Sequence, residues 1–183
     1  MHMPRKLIVF GLIATAIASV ALFSSVSAED TPITDAQINR IKSSCISAKN
    51  VLNQLHATDA LLRVNRGQIY LSLSTKLMTR FNTRVESNNL NAKDLVSVTN
   101  RYNSALKTFT ADYKSYEEQL SVALRIDCTN EPVTFYDAVA SARTKRTQVN
   151  SDVTILHQLI DEYASTFDVF SIDFSKQNGV KNS

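Results

Sequence analysis

Apolar residues recur at alternating steps of three and four positions through most of the chain, from residue 33 to residue 174. This seven-residue rhythm is typical of helices that pack side by side through one apolar stripe. An asparagine-rich segment and a proline divide the rhythm into three blocks. The pattern therefore predicts an all-α fold of three long helices with one core-facing stripe each.

The first block predicts the longest helix, over residues 32–86. Thr31 followed by Pro32 is one candidate start, because proline at the first helical position gives up no hydrogen bond. Thr34 with Gln37 is the other, as a capping box. The predicted stripe comprises Ile38, Ile41, Cys45, Ala48, Leu52, Leu55, Asp59, Leu62, Arg66, Ile69, Leu73, Leu77, Phe81 and Val85.

The other two blocks predict helices over residues 92–126 and 132–170. Short connections between long helices make consecutive helices antiparallel neighbours. We therefore expect an elongated antiparallel up-down-up three-helix bundle, coiled-coil-like, over residues 29–175. Its long first helix extends past the other two, so residues 33–46 are expected to lack a neighbour and would be free to form a homodimer. A disordered tail is expected at residues 176–183.

The N-terminal segment predicts a signal peptide over residues 1–28. Two basic residues precede an apolar run at residues 7–23, and small residues follow with Val26 and Ala28 at the positions that signal peptidases favour. We therefore expect an exported protein of the extracellular medium, the cell surface or a periplasm-like space. An uncleaved segment that tethers the protein to a membrane through residues 7–23 is the alternative.

Cleavage also changes the charge of the protein. The whole chain has 20 basic and 17 acidic residues. The signal peptide contains two of the basic residues and no acidic one, so the remaining 155 residues (183 − 28) carry a net charge of +1 (18 − 17). A nearly neutral protein has no overall field that attracts nucleic acid, so we expect no nucleic-acid partner.

The two cysteines, Cys45 and Cys128, test the expected alignment of the helices. If the chain folds back near Asn89, Cys45 lies 44 residues before the turn and Cys128 lies 39 residues after it. The mismatch of five residues corresponds to about 7.5 Å along a helix. Exported proteins meet oxidising conditions, so we predict a disulfide between them. Two buried free thiols are the alternative.

The same alignment places a basic residue inside the apolar stripe of the third helix. Arg146 falls near Leu62, within about one turn of Asp59, and Glu117 of the second helix lies at a similar level. We therefore predict that Arg146 pairs with Asp59 or Glu117 inside the bundle. Polar residues at such positions fix the register of packed helices.

Motifs of catalysis or metal binding are not recognised in the sequence. The two histidines that follow the signal, His56 and His157, are expected on different levels of the bundle. One glycine within the helical region cannot build a phosphate-binding loop, and the two cysteines lack the further ligands that a metal needs. We expect no enzymatic activity, no cofactor, no metal and no small-molecule substrate.

An apolar cluster lies near the predicted end of the third helix, at Phe167, Phe170, Ile172 and Phe174. If the bundle ends before residue 170, these side chains form an exposed patch that would bind a partner. The alternative is that they cap the end of the core.

Two features of the sequence resemble known groups of proteins. The letters ITDAQ at residues 33–37, at the head of a helix, resemble the LTxxQ element of the Spy/CpxP periplasmic chaperones, which carry it twice. The overall layout is similar to uncharacterised secreted all-helical proteins of ultrasmall candidate-phylum bacteria. In those proteins a signal, a long first helix and an Asp-Cys pair after the second helix recur, as Asp127 and Cys128 do here. The first resemblance implies chaperone activity; the second implies no known activity.

These observations lead to one expected function and two alternatives. We expect a secreted or surface-associated helical module that binds other proteins or spaces components of the envelope. A periplasmic-type chaperone or envelope stress protein is the first alternative and requires an exposed apolar face. A membrane-tethered coiled-coil subunit is the second and requires an uncleaved signal.

Overall fold

A computed structural model of the protein describes residues 33–177 and residue 179. Every regular element within them is a helix, as the apolar rhythm predicts. The chain divides into two units, Met1–Pro32 and Ile33–Ser183. The predicted signal peptide (residues 1–28) and the alternative membrane tether (residues 7–23) lie outside the described residues, as does most of the predicted tail. No helix in the described part is long and apolar enough to cross a membrane.

The described chain forms five α-helices and one π-helical segment. Four of these elements follow one another closely over residues 35–87, which we call the first helical segment. In chain order the elements are α1 (Asp35–Ser43), α2 (Cys45–Ser72), the π-helical segment (Leu73–Met78), α3 (Thr79–Ser87), α4 (Lys93–Arg125) and α5 (Pro132–Gln177).

The first helical segment begins at the capping box rather than at Thr31 and Pro32. The side chain of Thr34 accepts a hydrogen bond from the backbone N–H of Gln37, and the side chain of Gln37 accepts one from the backbone N–H of Thr34 at 2.8 Å. Two N–H groups that the helix leaves unpaired are thereby satisfied.

The prediction of one regular helix over residues 32–86 is wrong in its detail. Ser44 interrupts the helix, and its N–H is shared between the carbonyls of Arg40 and Lys42. Further along, Leu73–Met78 winds as a π-helix, which takes up one extra residue in a turn. Both departures lie within the range that the sequence predicted as one regular helix.

The predicted stripe is also out of phase beyond Asp59. Leu62, Ile69 and Leu77 are exposed, whereas Tyr70 and Met78 are buried. Asp59 and Tyr70 are 11 residues apart, which matches three turns of 3.67 residues rather than the 3.5 residues per turn of a heptad. The buried positions therefore lie one residue later than the heptad prediction places them. The π-helical segment has the same shifted positions buried, at Ser74 and Met78.

The third predicted helix is longer than expected. Helix α5 extends to Gln177 instead of ending near residue 170, and it includes the first two residues of the predicted tail. Its last turns pack through aromatic contacts: the ring of Phe81 lies 5.7 Å from that of Phe170, which in turn lies 6.3 Å from that of Phe174. This packing continues the helix beyond the point where the apolar rhythm fades.

Helices α4 and α5 pack against each other along their length, and the first helical segment packs against them. The turn before α4 contains Asn89 in the left-handed conformation (φ 57°), which asparagine tolerates better than most residues. Seven large side chains of the described residues are almost completely enclosed: Tyr102, Tyr116, Met78, Leu95, Leu120, Leu156 and Cys128.

Helix α1 is not without a neighbour, contrary to the expectation for residues 33–46. It packs against α5, and Ile41 lies in a small apolar cluster with Phe135 and Val139. Because α5 begins immediately after the Cys128 loop, its first turns are positioned to cover α1. The expectation of a homodimer through residues 33–46 rested on an unpaired helix start, whereas α1 has a neighbour in α5.

The disulfide joins Cys45 at the start of α2 to Cys128 in the loop before α5. The two Cα atoms lie 5.5 Å apart and the residues are separated by 83 positions. Both side chains are buried, and Phe135 packs beside them. The less regular backbone after α4 absorbs the offset that the helix alignment predicted.

We predict that replacing both cysteines with alanine lowers the free energy of unfolding by about 4 kcal/mol, because the disulfide closes a loop of more than 80 residues in the unfolded chain. Urea unfolding followed by circular dichroism measures this. The wild-type chain under reducing conditions is the matched comparison, and an unchanged midpoint in both samples would contradict the prediction.

We also predict that Gly67→Ala stabilises the protein by about 0.5–1 kcal/mol, since alanine favours the helix more strongly than glycine. A Cβ atom at residue 67 would meet no atom within 4 Å. Thermal unfolding of the variant measures the gain, and a lower melting temperature would show that the backbone there needs glycine.

Candidate functional site

A buried carboxylate links the three long helical stretches near the middle of the chain. Asp59 of α2 accepts hydrogen bonds from Nε of Arg146 on α5 at 2.9 Å and from the hydroxyl of Tyr116 on α4 at 2.7 Å. The second guanidinium contact, from Nη2 of Arg146 to the other carboxylate oxygen, measures 3.3 Å. Two of these hydrogen bonds come from α5 and one from α4, so the carboxylate ties α2 to both other long helices.

Of the residues predicted to pair here, the structure brings Asp59 and Arg146 together and leaves Glu117 outside the pair. Glu117 instead accepts from the guanidinium of Arg63 at 3.1 Å. Tyr116 is the member that the sequence reasoning missed. Its position in the apolar stripe of α4 suggested a core ring and gave no indication of what its hydroxyl binds.

The electrostatics of the pair are those of a satisfied ion pair. Burial raises the pKa of the Asp59 carboxyl, but the hydrogen bonds from Arg146 and Tyr116 outweigh it, and the pKa is lowered overall. The hydrogen bond to Asp59 raises the pKa of Arg146. Burial, followed by the hydrogen bond to Asp59, raises the pKa of Tyr116. Asp59 is therefore ionised, and Tyr116 is its neutral donor.

Beside this network lies a cleft of about 100 Å³ between α2 and α5. The aromatic rings of Phe109, Tyr113 and Tyr116 form part of its lining, together with Leu62 of α2 and Val149 of α5. The guanidinium of Arg63 lies 5.3 Å from the centre of the Tyr113 ring, a cation–π distance. This volume would admit one side chain but not an extended small molecule.

Further polar contacts tie the same elements together along their length. The hydroxyl of Tyr70 lies 3.0 Å from Nε2 of His157. Asn82 donates to Thr99 at 2.8 Å and accepts from the hydroxyl of Tyr163 at 3.0 Å. These contacts are spread along the core instead of converging on one point, so they position helices and do not assemble reactive groups.

The outer side of α2 is the other distinctive surface, and we call it the α2 outer face. It carries large apolar side chains that are exposed, with Ile46 78% and Leu61 66% accessible to solvent. The remaining members are Val51, Leu62, Val64, Ile69 and Leu71.

Charged side chains are sparse along the α2 outer face. Between residues 50 and 75 the only charged residues are Asp59, Arg63 and Arg66. Asp59 is buried, Arg63 pairs with Glu117 of α4, and Arg66 lines the cleft towards α5. The exposed positions between them are apolar side chains, amides, hydroxyls or alanine. The low number of charged residues between residues 50 and 75, which we call the charge gap, was visible in the sequence. The heptad prediction did not identify it as a surface because it assigned the apolar residues there to the core.

The charge gap lies within a basic environment. The first helical segment (residues 35–87) carries eight basic and three acidic residues, a net charge of +5. Residues 93–177, which include α4 and α5, carry nine basic and twelve acidic residues, a net charge of −3. The overall near-neutrality therefore conceals two segments of opposite net charge.

The predicted patch near the end of α5 is divided by the structure. The ring of Phe81 contacts Phe167 at 5.0 Å and Phe170 at 5.7 Å between centroids, and Phe170 stacks on Phe174. A cavity of about 160 Å³ lies beside Phe170 and Phe174. Three of the four residues thus share one aromatic cluster that covers the end of the core, and Ile172 is half exposed.

Within the described residues, no group of three or more histidine, cysteine, aspartate or glutamate side chains is arranged to hold a metal ion. The polar network fixes the helices relative to one another. The α2 outer face has the exposed apolar area that is typical of a binding surface.

We predict that Arg146→Met destabilises the protein by about 1–2 kcal/mol at pH 7, because it leaves Asp59 ionised and short of donors. The pKa of Asp59 is lowered in the folded protein, so its contribution is full above the ordinary value of 3.8 and is lost as the pH falls through the folded value. The difference in the free energy of unfolding between the wild type and Arg146→Met should therefore become smaller in acid.

Urea unfolding from pH 3 to pH 7 measures this difference. Arg143→Met is the matched control, since Arg143 is exposed on the same helix. An equal effect of both substitutions at every pH would show that the Asp59 pair contributes nothing specific.

Comparisons with known proteins assign no family to this chain: no protein-family model, no curated protein and no solved structure matches it. The resemblances to Spy/CpxP chaperones and to secreted helical proteins of ultrasmall bacteria therefore stay expectations from the sequence. The function has to be inferred from the α2 outer face, the polar network and the disulfide.

Proposed function

We propose that this protein is an exported, non-catalytic interaction module in which the α2 outer face binds another protein. The proposed architecture is an elongated antiparallel up-down-up three-helix bundle with a long first helix. The observation that carries the proposal is the coincidence of exposed leucine, isoleucine and valine side chains with a stretch of α2 that has few charged residues. Apolar surface of this kind marks a binding site in a soluble protein.

The register of contacts supports the proposed architecture. Cys45 is joined to Cys128, Asp59 contacts Tyr116, and Asn82 contacts Thr99, so later residues of the first helical segment meet earlier residues of α4. The same segment meets α5 in parallel order: both Asp59 with Arg146 and Tyr70 with His157 are separated by 87 residues. These pairs fit a chain that runs up, down and up again.

Export is supported by the disulfide and by the predicted signal. A disulfide persists in oxidising surroundings and is rare in the cytosol. The apolar run at residues 7–23 and the small residues after it are the features of the predicted signal peptide.

The α2 outer face favours a protein partner over nucleic acid. Nucleic-acid sites present basic side chains to phosphates, whereas the exposed part of this face has none between residues 67 and 75 and none between residues 50 and 62. Its length of 28 residues corresponds to about 42 Å, enough for a partner helix of six to eight turns. Apolar side chains spaced along a helix are what such a partner would bury.

A periplasmic-type chaperone is the second candidate, and the same face favours it. A chaperone that holds unfolded chains needs an exposed apolar surface, and the predicted core-facing stripe, which included Leu62 and Ile69, argued against one. Exposure of Leu62 and Ile69 removes that objection. The two candidates differ in selectivity, since a module binds one partner and a chaperone binds many unfolded chains. A membrane-tethered subunit would require the signal to be retained.

We predict that a chain of residues 29–183 captures a stoichiometric partner from native envelope or culture medium, and that Leu61→Lys weakens the capture at least about tenfold. A buried lysine in place of leucine at an interface costs more than 1.4 kcal/mol. Ser151→Lys, at an exposed position of α5, is the matched control. Mass spectrometry and binding titration of the identified partner measure the effect.

The outcomes separate the candidates. Loss of one partner with Leu61→Lys, but not with Ser151→Lys, supports the interaction module. A broad set of unfolded chains, together with suppression of aggregation that Leu61→Lys abolishes, favours the chaperone. Equal capture by both variants would contradict a role of the α2 outer face.

A further inference from the structure

A second buried carboxyl group, Asp152, lies between α4 and α5. It is 3% exposed. One of its oxygens, Oδ1, accepts a hydrogen bond from the side-chain amide of Gln148 at 3.1 Å. The other, Oδ2, is buried and meets no donor within the described part of the chain. A buried ionised carboxylate with an unsatisfied oxygen is costly.

The group that interacts with Asp152 from α4 is another carboxyl, that of Asp112. The contacts of Ser115 with Lys145 and of Arg101 with Glu162 bracket the two aspartates, so the antiparallel packing of α4 against α5 brings them to the same part of the helix pair. Burial is the main cause that raises the pKa of Asp152; the hydrogen bond from the Gln148 amide lowers it in part, and the charge and hydrogen bond of Asp112 raise it further. Two adjacent carboxyl groups favour a state in which one of them keeps its proton and donates it to the other.

The surrounding charged groups do not relieve this contact. On α5, Arg146 is bound to Asp59, and Lys145 donates to Ser115 of α4 at 2.7 Å. Lys114 of α4 lies in an ion pair with Glu118. On the first helical segment, Arg63 pairs with Glu117, and among the described residues Asp112 is the only charged group that acts on Asp152.

We propose that Asp112 and Asp152 share one proton and thereby make the packing of α4 against α5 sensitive to pH. In acid, the protonated carboxyl of Asp152 donates to the Asp112 carboxylate and joins the two helices. As the pH rises, loss of that proton leaves two negative charges facing each other, and the contact opposes the packing. The inference is independent of the α2 outer face and of the proposed function.

The direction of the effect follows from the protons bound. The folded protein keeps a proton on this pair at pH values where the unfolded chain has lost it, so stability from the pair is full below the ordinary aspartate value of 3.8. It declines as the pH rises through the raised value of the folded state. This is opposite to the behaviour of the Asp59 pair, whose contribution is lost in acid.

The test compares Asp152→Asn with the wild type by urea unfolding between pH 3.5 and pH 8. Asparagine keeps the shape and supplies a permanent donor towards Asp112. We expect the ratio of folding equilibrium constants, variant over wild type, to rise by about tenfold for each unit by which the folded pKa exceeds the unfolded one. Asp112→Asn should give a rise of the same sign.

Asp161→Asn, which neutralises an exposed carboxylate of the same helix, is the control and should give a ratio without that rise. The carboxyl carbon of Asp152, followed by NMR, should titrate above the ordinary range in the wild type and return towards it in Asp112→Asn. A flat ratio for Asp152→Asn, or a falling one, would overturn the proposal. A wild-type melting temperature raised by Ca²⁺ or Mg²⁺ but unchanged in Asp152→Asn would also overturn it, because the pair would then be a cation site.

Discussion

The buried carboxylate of Asp59 sets the alignment of the other helices. An ionised group in the interior is tolerated only with charged or strong hydrogen-bond donors around it, and here the donors come from Arg146 on α5 and Tyr116 on α4. A slip of either helix by one turn, about 5.4 Å, would leave the carboxylate unpaired. Apolar side chains tolerate such a slip far better, so the polar contact selects one register among several that the apolar stripes allow.

That register has a consequence for the surface. With Asp59 and Tyr70 both directed inwards, the helix between them follows an 11-residue spacing, and the leucines of the heptad series turn outwards. The α2 outer face is therefore a product of helix phase, and the π-helical segment that follows maintains it. Exposed and buried side chains are direct neighbours in this stretch of sequence: Ile69 is exposed beside buried Tyr70, and Leu77 is exposed beside buried Met78.

Two carboxyl pairs in one small fold respond to pH in opposite directions. The Asp59 pair is held by a guanidinium and favours the ionised form, whereas Asp152 faces Asp112 and favours the protonated form. A third contact, the disulfide, fixes the end of the fold where α1, α2 and the start of α5 meet. Covalent, ionic and proton-dependent contacts thus act at different levels of the same helices.

The sequence by itself determined the helical class, the approximate helix limits and the pairing of Cys45 with Cys128, because apolar periodicity, proline, asparagine and chain length act locally or through simple geometry. It also placed Arg146 near Asp59, since two helices of known offset leave few choices. Tertiary structure alone decided that Glu117 belongs to Arg63, that Tyr116 completes the Asp59 site and that Asp112 meets Asp152. Side-chain partners depend on rotation about each helix axis, and an error of one residue, about 100°, exchanges core for surface.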